Sequence, residues 1–140
     1  MALAERVVAD SSVFTRLRRP ALITELETAL ERGFVYTCAV VRLEVLRGSQ
    51  SRADWRATAD ELRGLPMLPI DADTWQRAEE VQDLLVRPSH HTAVKVPDLL
   101  VAAVAEHAGL PVIHYDRDFD LIAAVTGQDT RWVVPRGSID

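Results

Sequence analysis

Val112-Ile113-His114-Tyr115-Asp116-Arg117-Asp118-Phe119-Asp120 is the stretch that decides the fold. Its first four residues are β-branched or aromatic and read as a short strand. Acids then stand at alternate positions, and a helical stretch follows to about Val125. A strand that turns directly into a helix is the building unit of a parallel α/β sheet. In such sheets, ligands bind beyond the carboxyl ends of the strands. Asp116 and Asp118 fall at that end, while Asp120 reads as a surface acid.

Working outward, the same pattern recurs near the N-terminus. Val7-Val8-Ala9-Asp10 is an apolar strand closed by an acid, and Ser11 or Ser12 can cap a helix running to about Arg18. Further strands are expected at residues 34–37, 67–70 and 132–134. Helices are expected at 21–32, to about 47 from Thr37 or Cys38, at 51–65, and from Asp71 or Asp73 to about 86. Asp73 and Gln76 fit a capping box loosely. Residues 87–96 read as a loop, followed by a helix at 98–107. Gly33, Gly48 and Gly109 mark helix ends. The order predicts an α/β fold of about five short, mainly parallel strands, with helices on both faces. One domain is expected over residues 1–135, with a flexible tail at 136–140. Parallel pairing brings the ends of the first and fourth strands together, so that Asp10 meets Asp116 and Asp118.

Two more acids sit in apolar surroundings. Glu44 is flanked by Val40, Val41, Leu43 and Val45, and needs a partner if buried. Arg42 or Arg47 would make it a plain ion pair. Asp98 opens Pro-Asp-Leu-Leu-Val-Ala-Ala-Val-Ala, which reads as buried on nearly all sides; the helix dipole favours an acid there. The same position points a carboxylate out of a rigid element, as a metal ligand requires. Carboxylates that converge repel one another unless cations join them, and oxygen-rich clusters suit Mg²⁺ or Mn²⁺. The expected activity is metal-dependent chemistry on phosphate esters.

The chain has 140 residues, 48% of them hydrophobic, and a formal net charge of −5. A pair of divalent ions would offset about four charges, so a nucleic-acid substrate stays open. A protein gripping nucleic acid through a broad basic surface does not fit. The single cysteine, Cys38, reads as a small buried thiol. No signal peptide and no apolar run long enough for a membrane span is evident, which suggests a cytoplasmic protein.

The segments Val-Ala-Asp10-Ser-Ser, Arg-Leu-Glu44-Val-Leu-Arg-Gly, Val-Pro-Asp98-Leu-Leu-Val-Ala-Ala and Tyr-Asp116-Arg-Asp118-Phe-Asp together resemble the PIN-domain ribonucleases, specifically the VapC-type toxins. The resemblance extends from Val8 to about Pro135 and implies the PIN-like three-layer fold. It implies that Asp10, Glu44, Asp98, Asp116 and Asp118 form the catalytic set, with Asp10, Asp98 and Asp118 as metal ligands and Asp116 as an accessory acid. Ser12 matches a small hydroxyl residue that follows the first acid. The family's frequent Thr before the acidic run is His114-Tyr115 here, which affects the cleft wall. The resemblance further implies an antitoxin that inserts a segment into the cleft, a homodimer, and an RNA target among tRNA, rRNA or mRNA.

The mechanism expected is hydrolysis of RNA by metal-activated water, leaving a 5′-phosphate and a 3′-OH. Arg16, Arg18, Arg19, Arg47 and Lys95 flank the acids and, with Ser12, are candidates for gripping the substrate. A housekeeping nuclease and a metal-free binding module of the same fold are the alternatives. A phosphorelay receiver would need a Lys after its last strand, where this chain has Trp132-Val-Val-Pro-Arg136.

Overall fold

Val7, Val8 and Ala9 are wholly buried, as a strand covered on both faces must be. They form β1 (Val7–Ala9) in a computed structural model that describes residues 2–139. The order continues α1 (Ser11–Phe14), α2 (Pro20–Glu31), β2 (Val35–Tyr36), α3 (Ala39–Arg47), α4 (Arg52–Arg63), α5 (Ala72–Val86), α6 (Val96–Ala108), β3 (Val112–His114), α7 (Asp118–Thr126) and β4 (Thr130–Trp132). The sheet order is β2-β1-β3-β4, with every pairing parallel. Val8 pairs with Val112 and Ala9 with Ile113, which sets the ends of β1 and β3 side by side.

The two-residue period of a strand divides the core. Val8 and Val112 point into a cluster with Val101, Phe119 and Ile122. Val7, Ala9 and Ile113 point to the opposite face, against Leu22, Leu26 and Val35. Residues 98–105 of α6 are all buried, because α6 packs against both α5 and the sheet. Cys38, the N-cap of α3, is a buried free thiol.

Several boundaries differ from expectation for identifiable reasons. The strand expected at 67–70 is reduced to one parallel bridge, Thr37 to Met67. Pro66 and Pro69 lack the N–H groups needed to extend a ladder there. The sheet therefore has four strands. The helix after Asp10 is regular only to Phe14, since Pro20 holds Arg19 extended (ψ 130°) and the chain must turn before it. The capping box of α5 is formed by Asp71 and Thr74, whose hydroxyl accepts from the Asp71 N–H at 2.8 Å. Val96 belongs to α6, with Lys95 as its N-cap and Pro97 in the first turn. The last strand lies at Thr130–Trp132, two residues earlier than the pattern suggested. Of the expected tail, Asp140 lies outside the described residues; Gly137 and Ile139 donate their N–H groups to the Tyr115 hydroxyl at 2.8 and 3.4 Å.

Among the described residues, no helix is long and apolar enough to cross a membrane.

Candidate metal centre

Asp10 is the first residue after β1 and the N-cap of α1. Its Oδ2 accepts from the Ser12 N–H at 3.0 Å and the Ser12 hydroxyl at 2.6 Å. The same hydroxyl oxygen accepts from the Tyr115 N–H at 2.9 Å. Ser12 therefore straps the end of β1 to the end of β3. Asp10 caps its helix, as Asp often does, yet its buried Oδ1 has no hydrogen-bond partner.

Glu44 projects from the middle of α3, half-buried, and accepts from the Ser11 hydroxyl at 3.2 Å. Arg42 turns away from it and reaches the Met67 sulfur at 3.4 Å. Asp98 lies in the first turn of α6 and is 1% exposed. Asp118 opens α7 and is buried as well. The positive ends of two helix dipoles thus face the cleft. Asp116 shapes the turn before α7, with one oxygen accepting from the Asp118 N–H at 2.9 Å.

These acids form two overlapping groups. Asp10, Glu44 and Asp98 each offer a carboxylate oxygen within 4.8 Å of the others, and so do Asp98, Asp116 and Asp118. Asp98 belongs to both. In the second group a cation is already present. The Lys95 ammonium lies 2.8 Å from Asp118, 3.0 Å from Asp116 and 3.3 Å from Asp98. It donates hydrogen bonds to Asp118 and Asp116. Toward Asp98 Oδ2 the approach has ion-pair distance without hydrogen-bond direction, so that oxygen remains without a hydrogen bond.

The electrostatics follow from this arrangement. Burial raises the pKa of Asp10 against the lowering effect of the Ser12 hydrogen bonds. Burial, then the charge of Asp10, raises Glu44. Asp98 is raised by burial, by its contact with Asp118 and by Asp10. Burial works in the same direction on Asp118, but its hydrogen bonds with Asp98 and Lys95 prevail and lower it. Burial alone would lower the Lys95 pKa, and its bonds to Asp118 and Asp116 instead hold it above the ordinary lysine value. The Asp10–Glu44–Asp98 group has the character of a hard cation site: three oxygen donors, with Asp10 bearing a buried oxygen that has no hydrogen bond.

His114 forms the floor beneath Asp116. Its ring stacks on Phe119 at 4.9 Å, meets the edge of Trp132 at 5.0 Å, and accepts the Asp116 N–H at Nδ1. Burial lowers its pKa to about 4, against the opposing charges of Asp120 and Asp116. It is a neutral packing residue. Asp120 is exposed and accepts from the Trp132 indole N–H.

The PIN-domain family profile matches residues 7–125. The chain belongs to the PIN-domain family. The chain is 42% identical to ribonuclease VapC18 of Mycobacterium tuberculosis over 132 residues, covering 93% of this chain and 96% of that protein. It is 41% identical to ribonuclease VapC21 of the same species over 137 residues, 97% and 99% of the two chains. Among solved structures, the VapBC-5 toxin–antitoxin structure from M. tuberculosis matches with a TM-score of 0.68 at 27% identity, covering 92% of this chain and 99% of that one. DNA-bound VapBC from Salmonella typhimurium matches with a TM-score of 0.74 at 17% identity, covering 94% of this chain, a likeness of fold. All five acids singled out in the sequence lie within the matched PIN segment.

The remaining candidates fall into different places around the PIN cleft. Arg16 lies over the Tyr115 ring at 4.9 Å and donates to the Ser12 carbonyl. Arg47 is exposed at the last turn of α3. Ser12 and Lys95, considered above for substrate, are bonded to the acids themselves. Two further features escaped the sequence reading. Ser11 orients Glu44, which only the fold reveals. Lys95 stands three residues before Asp98 at a helix start, and that i, i+3 spacing was the available signal.

Proposed function

We propose that this PIN domain is a metal-dependent endoribonuclease, the toxin of a type II toxin–antitoxin pair acting in the cytoplasm. The observation carrying the nuclease reading is the buried Asp10 Oδ1, which has no hydrogen bond and belongs to one group with Glu44 and Asp98. Buried carboxylates of this kind are costly unless a cation joins them. Asp10 and Asp98 would hold the ion with Glu44 beside them; Asp118, which the resemblance implied as a ligand, lies on the far side of Asp98 and is bonded to Lys95 instead. Carboxylate oxygens suit Mg²⁺, with Mn²⁺ as a substitute.

When bound, such an ion supplies Lewis acidity for in-line displacement at phosphorus. The chain's residues do the rest. Ser12 fixes the Asp10 carboxylate, and Ser11 fixes Glu44. Glu44, with its raised pKa, is placed to accept a proton from the attacking water. The N-termini of α6 and α7 favour the negative charge that gathers on the phosphate oxygens. Attack by water leaves a 5′-phosphate and a 3′-OH.

An open groove of about 380 Å³ runs beside Asp116, lined by Arg16, Tyr115, Arg117, Trp132 and Arg136. Arginines interleaved with aromatic rings suit the backbone and splayed bases of single-stranded RNA, as in a loop of tRNA, rRNA or mRNA. A cavity of about 520 Å³ lies away from the acids, lined by Phe14, Leu17, Ile23 and Val45 together with Arg18, Asp54 and Glu61. Its mixed apolar and charged lining suits an antitoxin segment rather than the reacting phosphate. We assign the homodimer contact to the exposed apolar groups Trp75 and Val96 beside α5 and α6.

The test is cleavage of total RNA by purified protein, with Mg²⁺ or Mn²⁺ against EDTA and beside Asp98→Asn. Discrete fragments with 5′-phosphate ends that require both the metal and Asp98 are expected. Fragments ending in 2′,3′-cyclic phosphate would overturn the mechanism.

A further inference from the structure

We infer that Lys95 sets the metal count of the site: its ammonium serves as the resident cation of the Asp98–Asp116–Asp118 group, leaving room for one divalent ion, at Asp10–Glu44–Asp98. The inference rests on the metal reading above and adds the number of ions and the residue that decides it.

Three carboxylates converge from two helix starts and a turn, which is ordinarily a place for a second ion. Here the ammonium lies within 3.3 Å of all three. It is held by more than side-chain attraction. Lys95 is the N-cap of α6, and its own backbone N–H also donates to Asp118 Oδ2, at 3.1 Å. That oxygen therefore accepts twice from one residue. Pro97 fixes the backbone of the first turn, keeping Lys95 and Asp98 in register. A divalent ion entering this group would have to displace the ammonium or sit against it, and like charges at such distances repel strongly.

The Asp10–Glu44 side differs. The hydrogen bonds to Asp10 and Glu44 come from Ser11 and Ser12, which are neutral donors, and Asp10 Oδ1 has none. The lysine side chain is 56% exposed, so its removal opens the second group to solvent ions. Lys95→Met keeps the chain length without the charge, and Lys95→Arg keeps the charge.

The experiment is a titration of the full chain with Mn²⁺, following free Mn²⁺ by electron paramagnetic resonance. Wild type and Lys95→Arg are expected to bind one ion per chain, and Lys95→Met two, with spin coupling between them. Two ions in wild type would overturn the inference alone, and that reading needs no variant to fold. One ion in a folded Lys95→Met would also overturn it. No Mn²⁺ bound by folded wild type would overturn the metal reading together with this one.

Discussion

On one side of the cleft, Asp10 and Glu44 are steadied by serine hydroxyls; on the other, Asp116 and Asp118 are steadied by an ammonium. Asp98 stands between and belongs to both. The serine side keeps its orientation without a bonded cation, with Lys95 and Arg47 acting on Glu44 only at a distance, and so retains its demand for an external cation. The lysine side is neutralised in part by the chain itself. Carboxylates a few ångströms apart thus carry different duties, and the difference lies in the partners that hold them.

The largest expected effect is at the shared residue. Asp98→Asn should lower RNA cleavage by about 10³-fold or more, the equivalent of several kcal/mol of lost charge stabilisation. The metal-free variant should unfold no more easily than wild type, because the substitution removes one charge from a group of carboxylates that a single ammonium offsets. Denaturation in EDTA checks the second part.

His114 tests the floor of the lysine side alone. Its folded pKa of about 4 lies below the ordinary 6.5. The unfolded chain therefore binds the extra proton first, and the contribution is present above pH 6.5 and lost as pH falls toward 4. Relative to His114→Phe, wild type should lose up to about 3 kcal/mol across that window. A difference independent of pH would mean that the imidazole is charged, or reachable by water, in the folded protein.

Metal addition can break the comparison outright. At a hundredfold excess over Kd, Mn²⁺ should stabilise wild type by about 2.7 kcal/mol. The thermal shift should vanish in Asp10→Asn and persist in Asp116→Asn. Equal losses in both variants would erase the distinction between the two sides. A smaller effect is expected at the strap: Ser12→Ala should weaken Mn²⁺ binding about 10- to 100-fold while leaving the acids in place. The smallest concerns the cleft rim, where Arg47→Ala should reduce the salt slope of RNA binding by about 0.7.

The sequence carried much of this site because four of its five acids sit at joints. Asp10 and Asp116 follow strands, and Asp98 opens a helix whose next seven residues are all buried. Parallel topology then brings the strand ends together without any knowledge of side chains. Partner choice was less legible. Glu44 had two arginines nearby in sequence, and its hydrogen bond goes instead to Ser11, which approaches only when α1 packs against α3. Lys95 read as a charge for gripping the substrate because a flexible side chain gives no sign of the direction it takes. The lost strand at Met67 has a plainer cause: an apolar run resembles a strand until its prolines are counted as missing donors.

The Ser12 strap has a consequence for how the protein comes into being. It joins residues 103 positions apart in sequence, and the β1–β3 pairing beside it spans a similar distance. Contacts this remote form late, since the intervening chain must be gathered first. During synthesis, Asp10 and Glu44 emerge long before Asp98, Asp116 and Asp118 exist to meet them. Under the proposed activity, the growing chain stays harmless to its own message and ribosome until its final third has been made and docked. The reach of the Ser12 strap across 103 residues thus places completion of the cleft near the end of synthesis.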